Sequence, residues 1–301
     1  MSELIAFQEL KASSKLPSPQ GVMLNVIRLC QREHVALPEL ARQIQVDPML
    51  TGRLIKIANI LNPVKTRKIA SISTDVLILV GVHTVRHLAL GISLVTSFQS
   101  GACAGFNYGQ FWSRSLAMAC AAQALAERIR IAPVAEVFTC GLLAGIGQLS
   151  LAMARPEPYS GLLARHRGTL PAMRMQAEIA LFGINHLHLA ALMMADWGIP
   201  RLFGDAVRFH ESPHSTDFAA DSRQQRLVQL LHVAARIADL CITRDDQREA
   251  DIALLLDSAV SIDLSRNMLV AAINQTSREW RDSGALLQVT TRPLPLLAEV
   301  D

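Results

Sequence analysis

From Val137 to Ala154 the chain carries no charged side chain. An apolar run of that length has to be covered, because apolar surface left in water costs roughly 25 cal/mol for each Å². Leu142, Leu143, Ile146 and Leu149 recur at helical spacing, and Gly141, Gly145 and Gly147 lack the Cβ that keeps another backbone away. The run reaches the lower limit of about 18 residues for a membrane span. Its glycines, Thr139, Gln148 and Ser150 suit a lipid face poorly, and Pro156 ends it. The reading is one buried helix in the core of a protein that does not enter a membrane.

A chain of 301 residues can build that core in one large domain or two ordinary ones. Hydrophobic residues make up 50% of it and charged residues 18%, against about 25% in average domains. Ala and Leu predominate, alternating strand patterns are scarce, and Gly and Pro fall between periodic segments. The prediction is an all-α protein. A net charge of +3 is too small to imply bulk nucleic-acid binding. Cys30, Cys103, Cys120, Cys140 and Cys241 are widely spaced inside apolar runs, as reduced core thiols are. Met1 to Pro17 carries Glu3, Glu9, Lys11 and Lys15 and no apolar signal core, so the expected location is the cytoplasm.

Val22, Val26, Ile27 and Cys30 share one helical face, Pro38 opens a second helix, and Asp47-Pro48 is a start signal for a third, Met49 to Leu61. Arg53, Lys56, Lys65, Arg67 and Lys68 then follow without an acid. Two readings apply: a phosphate-binding patch for nucleotide or nucleic acid, and a solvated helix face and loop. His83 and His87 stand four apart with no acid beside them, as packed or surface histidines. Helices are expected over Phe111–Arg130, from Pro171 to Phe182-Gly183, up to Trp197, and from Leu202 to His210. The polar segment His214 to Gln225 marks a boundary. Beyond it, helices are read through Leu227–Cys241, Glu249–Leu256 and Leu264–Trp280, then an extended tail, Gln288 to Asp301.

Several separated segments together resemble the HDOD family, catalytically degenerate relatives of HD-type metal phosphohydrolases. They are Leu16-Pro17, Asp47-Pro48-Met49-Leu50-Thr51, Ile57-Ala58-Asn59, Leu79-Val80-Gly81, Phe111-Trp112, Gly141-Leu142-Leu143 with Ile146-Gly147, Glu178 with Phe182-Gly183 and His186, Trp197-Gly198-Ile199-Pro200, and His210-Glu211-Ser212-Pro213. The resemblance implies an HD-like multi-helix bundle over 14–213, with an N-terminal helical subdomain at 14–100 and a degenerate bundle at 107–213. Residues 222–287 then form C-terminal helices packing on the bundle, followed by the tail, 288–301.

HD hydrolysis brings imidazoles and carboxylates onto divalent cations that activate water and clamp phosphoryl oxygens. On the resemblance, the first His of that pattern falls at Arg114, its central His-Asp pair at Ala144-Gly145, and its last Asp at Asp239. His186 and His210, with Glu211, are vestigial candidates. Arg114 sets a permanent cation where a metal is needed, so no catalytic residue, metal or cofactor is expected. Arg114 is instead expected to pair with Asp239 or Glu211. The function implied is bacterial signal transduction through protein contacts, with a cyclic-dinucleotide enzyme or a response regulator acting in trans as the kind of partner. The alternatives are a nucleotide or nucleic-acid binder using the basic segment, and a residual metal-dependent phosphohydrolase.

Overall fold

The computed structural model describes residues 3–62, 68–243, 252, 255 and 262–294. Those residues form helices and no strand. The chain divides into two compact units, 18–98 and a second made of 1–17 with 99–301.

In the smaller unit, α2 (Gly21–Cys30), α3 (Leu37–Gln45), α4 (Pro48–Leu61), α5 (Thr74–Val80) and α6 (Val82–Ser97) enclose Val26, Leu40, Ile44, Leu54, Leu77 and Leu94. The start of α4 is set locally. Asp47 Oδ1 accepts from the Leu50 amide at 2.9 Å, and Pro48 occupies the first turn, where its missing N–H leaves nothing unpaired. Near the end of α4, Asn59 donates to the Ile55 and Ile69 carbonyls and accepts from the Ile69 amide at 2.9 Å, tying down the returning chain.

The larger unit is built on α7 (Tyr108–Ile129), against which α8 (Val134–Leu143), α14 (Arg223–Ile242) and α15 (Arg266–Leu287) pack. Ala117, Ala119, Ala121, Ala122, Ala124 and Ala126 are wholly buried, and small side chains are what allow three helices to approach one. Gly141 shows the limit: a Cβ there would lie 2.7 Å from the Met118 carbonyl oxygen.

The apolar run is not one helix. It folds as α8 and α9 (Ile146–Ala154), broken by a turn at Ala144-Gly145. Val134–Ala154 is long and apolar enough to cross a membrane, and 83% of its most apolar window is buried in protein. A Cβ on Gly147 would lie 1.9 Å from the His186 carbonyl oxygen, so the backbones of α9 and α12 (His186–Asp196) touch there.

The chain start differs from expectation as well. Glu3–Ala12 forms α1, which packs on α12 through a Lys11–Asp196 ion pair and a Glu3–His188 contact of 2.5 Å. The first residues therefore belong to the larger unit. So does α14, which lies directly on α7, while Trp280 of α15 is wholly buried and donates from Nε1 to the Ser113 carbonyl at 2.9 Å. After α15 the chain is non-helical through residue 294, and Ser113 donates to the Thr290 carbonyl at 2.6 Å. The helix read at Glu249–Leu256 lies outside the described residues except for Ile252 and Leu255, both helical.

Candidate functional site

A cavity of about 490 Å³ opens in the larger unit where α7, α14 and the end of α13 (Arg201–Phe209) converge. Arg114 comes from the second turn of α7, one helical turn after Gln110, and Asp239 from near the end of α14. Arg114 Nε donates to Asp239 Oδ1 at 2.6 Å. Burial opposes the guanidinium charge, but Asp239 and, further off, Glu211 outweigh it and hold the group above its ordinary value.

Behind Arg114 lies a buried carboxylate–imidazole cluster. Glu178 on α11 (Pro171–Phe182) and His186 at the start of α12 are both fully buried. Glu178 Oε2 accepts from His186 Nδ1 at 2.6 Å and from the His186 amide at 2.9 Å, and Tyr159 donates to Oε1 at 3.4 Å. Nε2 of the same ring lies 3.4 Å from Glu211 Oε1. Both imidazole nitrogens thus face carboxylates, which favours the doubly protonated, charged ring, although an Arg174 amino group also stands 3.5 Å from Nε2. Desolvation opposes that charge, yet Glu178 and Glu211 raise the His186 pKa above its ordinary value. Desolvation likewise opposes the two carboxylates, and His186 and Arg174 still hold both below the usual range.

His210 is 2% exposed, and Nδ1 donates to the Val207 carbonyl at 2.7 Å. Burial pulls its pKa down, so the ring is neutral and Nε2 carries the lone pair. His232 on α14 donates from Nδ1 to the His210 carbonyl at 2.7 Å, and burial lowers its pKa too.

These residues do not fit a divalent cation. Ala144 and Gly145 offer no ligand, and a Cβ on Gly145 would come 2.9 Å from Phe111 Cε2, so the Phe111 ring stands where a carboxylate stem would start. Arg114 brings a fixed positive charge, and the His186 nitrogens are already engaged. Among the described residues no three His, Cys, Asp or Glu side chains are placed to hold a metal ion.

The structure therefore brings Arg114, Gly145, His210, Glu211 and Asp239 to one cavity wall, with Ala144 and His186 buried just behind it. Glu178, Arg174, His232, Arg236 and Phe106 also belong to this region. Two of them left a trace in the sequence: Arg174 and Glu178 are four apart on one helix, and Glu178 recurs in the family pattern as a residue without a role.

The basic segment is not a continuous surface. Arg53 is 4% exposed and buried within the smaller unit, because its position on α4 falls on the core face with Leu50, Leu54 and Ile57. Lys56 is half-buried and Lys68 exposed, while Lys65 and Arg67 lie outside the described residues. His83 is exposed. His87 is buried, and desolvation together with Arg86 lowers it to about 4.

Comparison with known proteins bears on the whole arrangement. The HDOD domain model matches residues 16–213. The MmoQ response regulator of Methylococcus capsulatus strain Bath is 33% identical, with 86% of this chain covering 98% of that one at a TM-score of 0.54. An HDOD domain protein of unknown function from Geobacter sulfurreducens (21% identity, 94% and 98% coverage, TM-score 0.61) shares the fold. So does a candidate phosphohydrolase from Shewanella amazonensis SB2B, 22% identical over 94% of this chain and 98% of that one, at a TM-score of 0.64. No protein of curated function matches. With two thirds of its length under the domain model and a relative at this identity along most of it, the chain belongs to the HDOD family.

Proposed function

We propose that this protein is a non-catalytic regulator of bacterial signal transduction that acts in the cytoplasm by docking to a protein partner. The observation that supports the reading is the Arg114–Asp239 pair at 2.6 Å: on the family resemblance Arg114 takes the position of a metal-binding His, and a guanidinium does not ligate a cation. The Phe111 ring against Gly145 adds to it, since a Cβ there meets the ring edge at 2.9 Å and the ring would have to move. The response-regulator name of the MmoQ relative supports a place in signalling. A switch needs a partner with different affinity for two conformations, and the partner class is a cyclic-dinucleotide enzyme or a response regulator in trans.

The test is equilibrium dialysis against Mn²⁺ followed by phosphodiesterase and phosphomonoesterase assays with p-nitrophenyl substrates. The expected result is no stoichiometric metal and no turnover. Stoichiometric Mn²⁺ with turnover abolished by Glu211→Gln overturns the non-catalytic reading. Docking is tested separately by in-cell cross-linking, with a defined, saturable partner as the expected product.

A further inference from the structure

The cavity holds more polar capacity than its own side chains use. Arg114, Arg174 and Arg236 line it against Glu211 and Asp239, and its histidines, His210 and His232, are neutral. Arg114 spends only Nε on Asp239, which leaves its two terminal amino groups available on a side chain that lines the cavity and is 28% exposed. Arg236 sits on the same face of α14, one turn before Asp239, exposed and without an ion pair among the described residues. A guanidinium fork of this kind matches an oxyanion, and two of them at one opening attract negative charge.

The same cavity also offers acceptors. Glu211 Oε2 is buried and accepts no hydrogen bond, although Oε1 faces His186. A buried carboxylate oxygen without a donor is unfavourable and calls for an explanation. His210 adds a second acceptor, the Nε2 lone pair, on a ring that is 2% exposed. Phe106 and Phe111, ring centroids 5.2 Å apart, line the same cavity, with Leu163, Pro171 and Ile242 adding apolar surface. A volume of 490 Å³ lies inside the range of about 300–1,000 Å³ that small-molecule sites occupy.

We infer that this cavity is a metal-independent binding site for a small aromatic oxyanion, a phosphate or carboxylate that also carries an N–H or O–H donor. The oxyanion meets Arg114 and Arg236, the ring lies against Phe106 and Phe111, and the donor reaches Glu211 and His210. This goes beyond the docking reading and does not depend on it. A cavity that fills without a partner protein, and a partner that binds while the cavity is empty, are separable results.

The experiment is a protein-observed NMR titration of the full chain with phenyl phosphate, 4-hydroxybenzoate and inorganic phosphate. An aromatic probe is expected to saturate at least about fivefold more tightly than inorganic phosphate, and Arg236→Glu to weaken it by about fivefold or more. Arg236 is exposed, so that variant is expected to melt like the wild type. The two aromatic probes separate a phosphate from a carboxylate head group. Glu211→Gln is expected to weaken 4-hydroxybenzoate while sparing phenyl phosphate, which has no donor. The inference is overturned if neither aromatic probe saturates by about 20 mM, which is weaker than millimolar recognition. It is equally overturned if inorganic phosphate binds as well as both aromatic probes, or if Arg236→Glu leaves binding unchanged.

Discussion

Arg114 and Asp239, 125 positions apart in the chain, meet at 2.6 Å and join α7 to α14 at the cavity wall. The pair is part-buried, with Asp239 41% exposed, so solvent screens it and the expected coupling is about 1 kcal/mol, the scale of ion pairs that water reaches. A double-mutant cycle with Arg114→Ala and Asp239→Ala, read by urea unfolding, checks this. Strictly additive losses are the result against it.

The Glu178–His186–Glu211 cluster predicts a particular pH profile. Glu178 and Glu211 lie below their ordinary value of 4.5, so their contribution is present above 4.5 and is lost as the pH falls through the depressed values. His186 lies above its ordinary 6.5, so its contribution is full below 6.5 and is lost as the pH rises through the raised value. The cluster is therefore most stabilising between 4.5 and 6.5. Glu178→Gln removes one partner of a fully buried pair and is expected to destabilise by about 3 kcal/mol in that window. The measurement is the difference in urea unfolding free energy between wild type and variant across pH. A difference that does not change with pH contradicts the assignment.

Two glycines of opposite context give a paired test. A Cβ at Gly147 meets the His186 carbonyl oxygen at 1.9 Å, a main-chain clash that neither helix can relieve alone. Gly147→Ala is expected to destabilise by about 3 kcal/mol or more, or to abolish soluble expression. Gly161, inside α10 (Pro156–Arg165), has nothing within 4 Å of a new Cβ, and Gly161→Ala is expected to stabilise by about 0.5–1 kcal/mol through helix propensity alone. Thermal melts of the two variants decide, and equal shifts speak against the contact at Gly147.

Restoring the missing hydrolase motif is not expected to restore a metal centre. In the double variant Ala144→His with Gly145→Asp, the new Asp Cβ starts 2.9 Å from the Phe111 ring, and Arg114 still supplies a positive charge nearby. Calorimetric titration with Mn²⁺ should show no stoichiometric binding, together with a lowered melting temperature. Tight Mn²⁺ binding by this double variant is the contrary result.

Local signals were sufficient for much of the fold. Asp47-Pro48 announces α4 and caps it as written. The family pattern was legible as well, carried by spaced motifs such as Gly141-Leu142-Leu143 and His210-Glu211. The break at Ala144-Gly145 was not legible. Every residue through it is small or apolar and compatible with a helix, so only the packing of the rest of the unit selects a turn there. Helix α1 was missed for a related reason: its stability comes from packing on α12, and a short isolated helix is marginal in water.

By itself the sequence determined that the protein is helical, that Val137–Ala154 is largely buried, and that Ala144 and Gly145 carry no metal-ligating side chain. Each of these follows from side-chain chemistry and periodicity, which are properties of single positions and their near neighbours. Only the tertiary structure decided that Arg114 meets Asp239, that Glu178 and Glu211 flank His186, that Arg53 points inward, and that an aromatic-walled cavity remains beside Arg236. Those facts depend on distances between residues far apart in the chain. Ion-pair and hydrogen-bond energies fall off over a few ångströms, so they are set by how the helices pack rather than by which residues they contain.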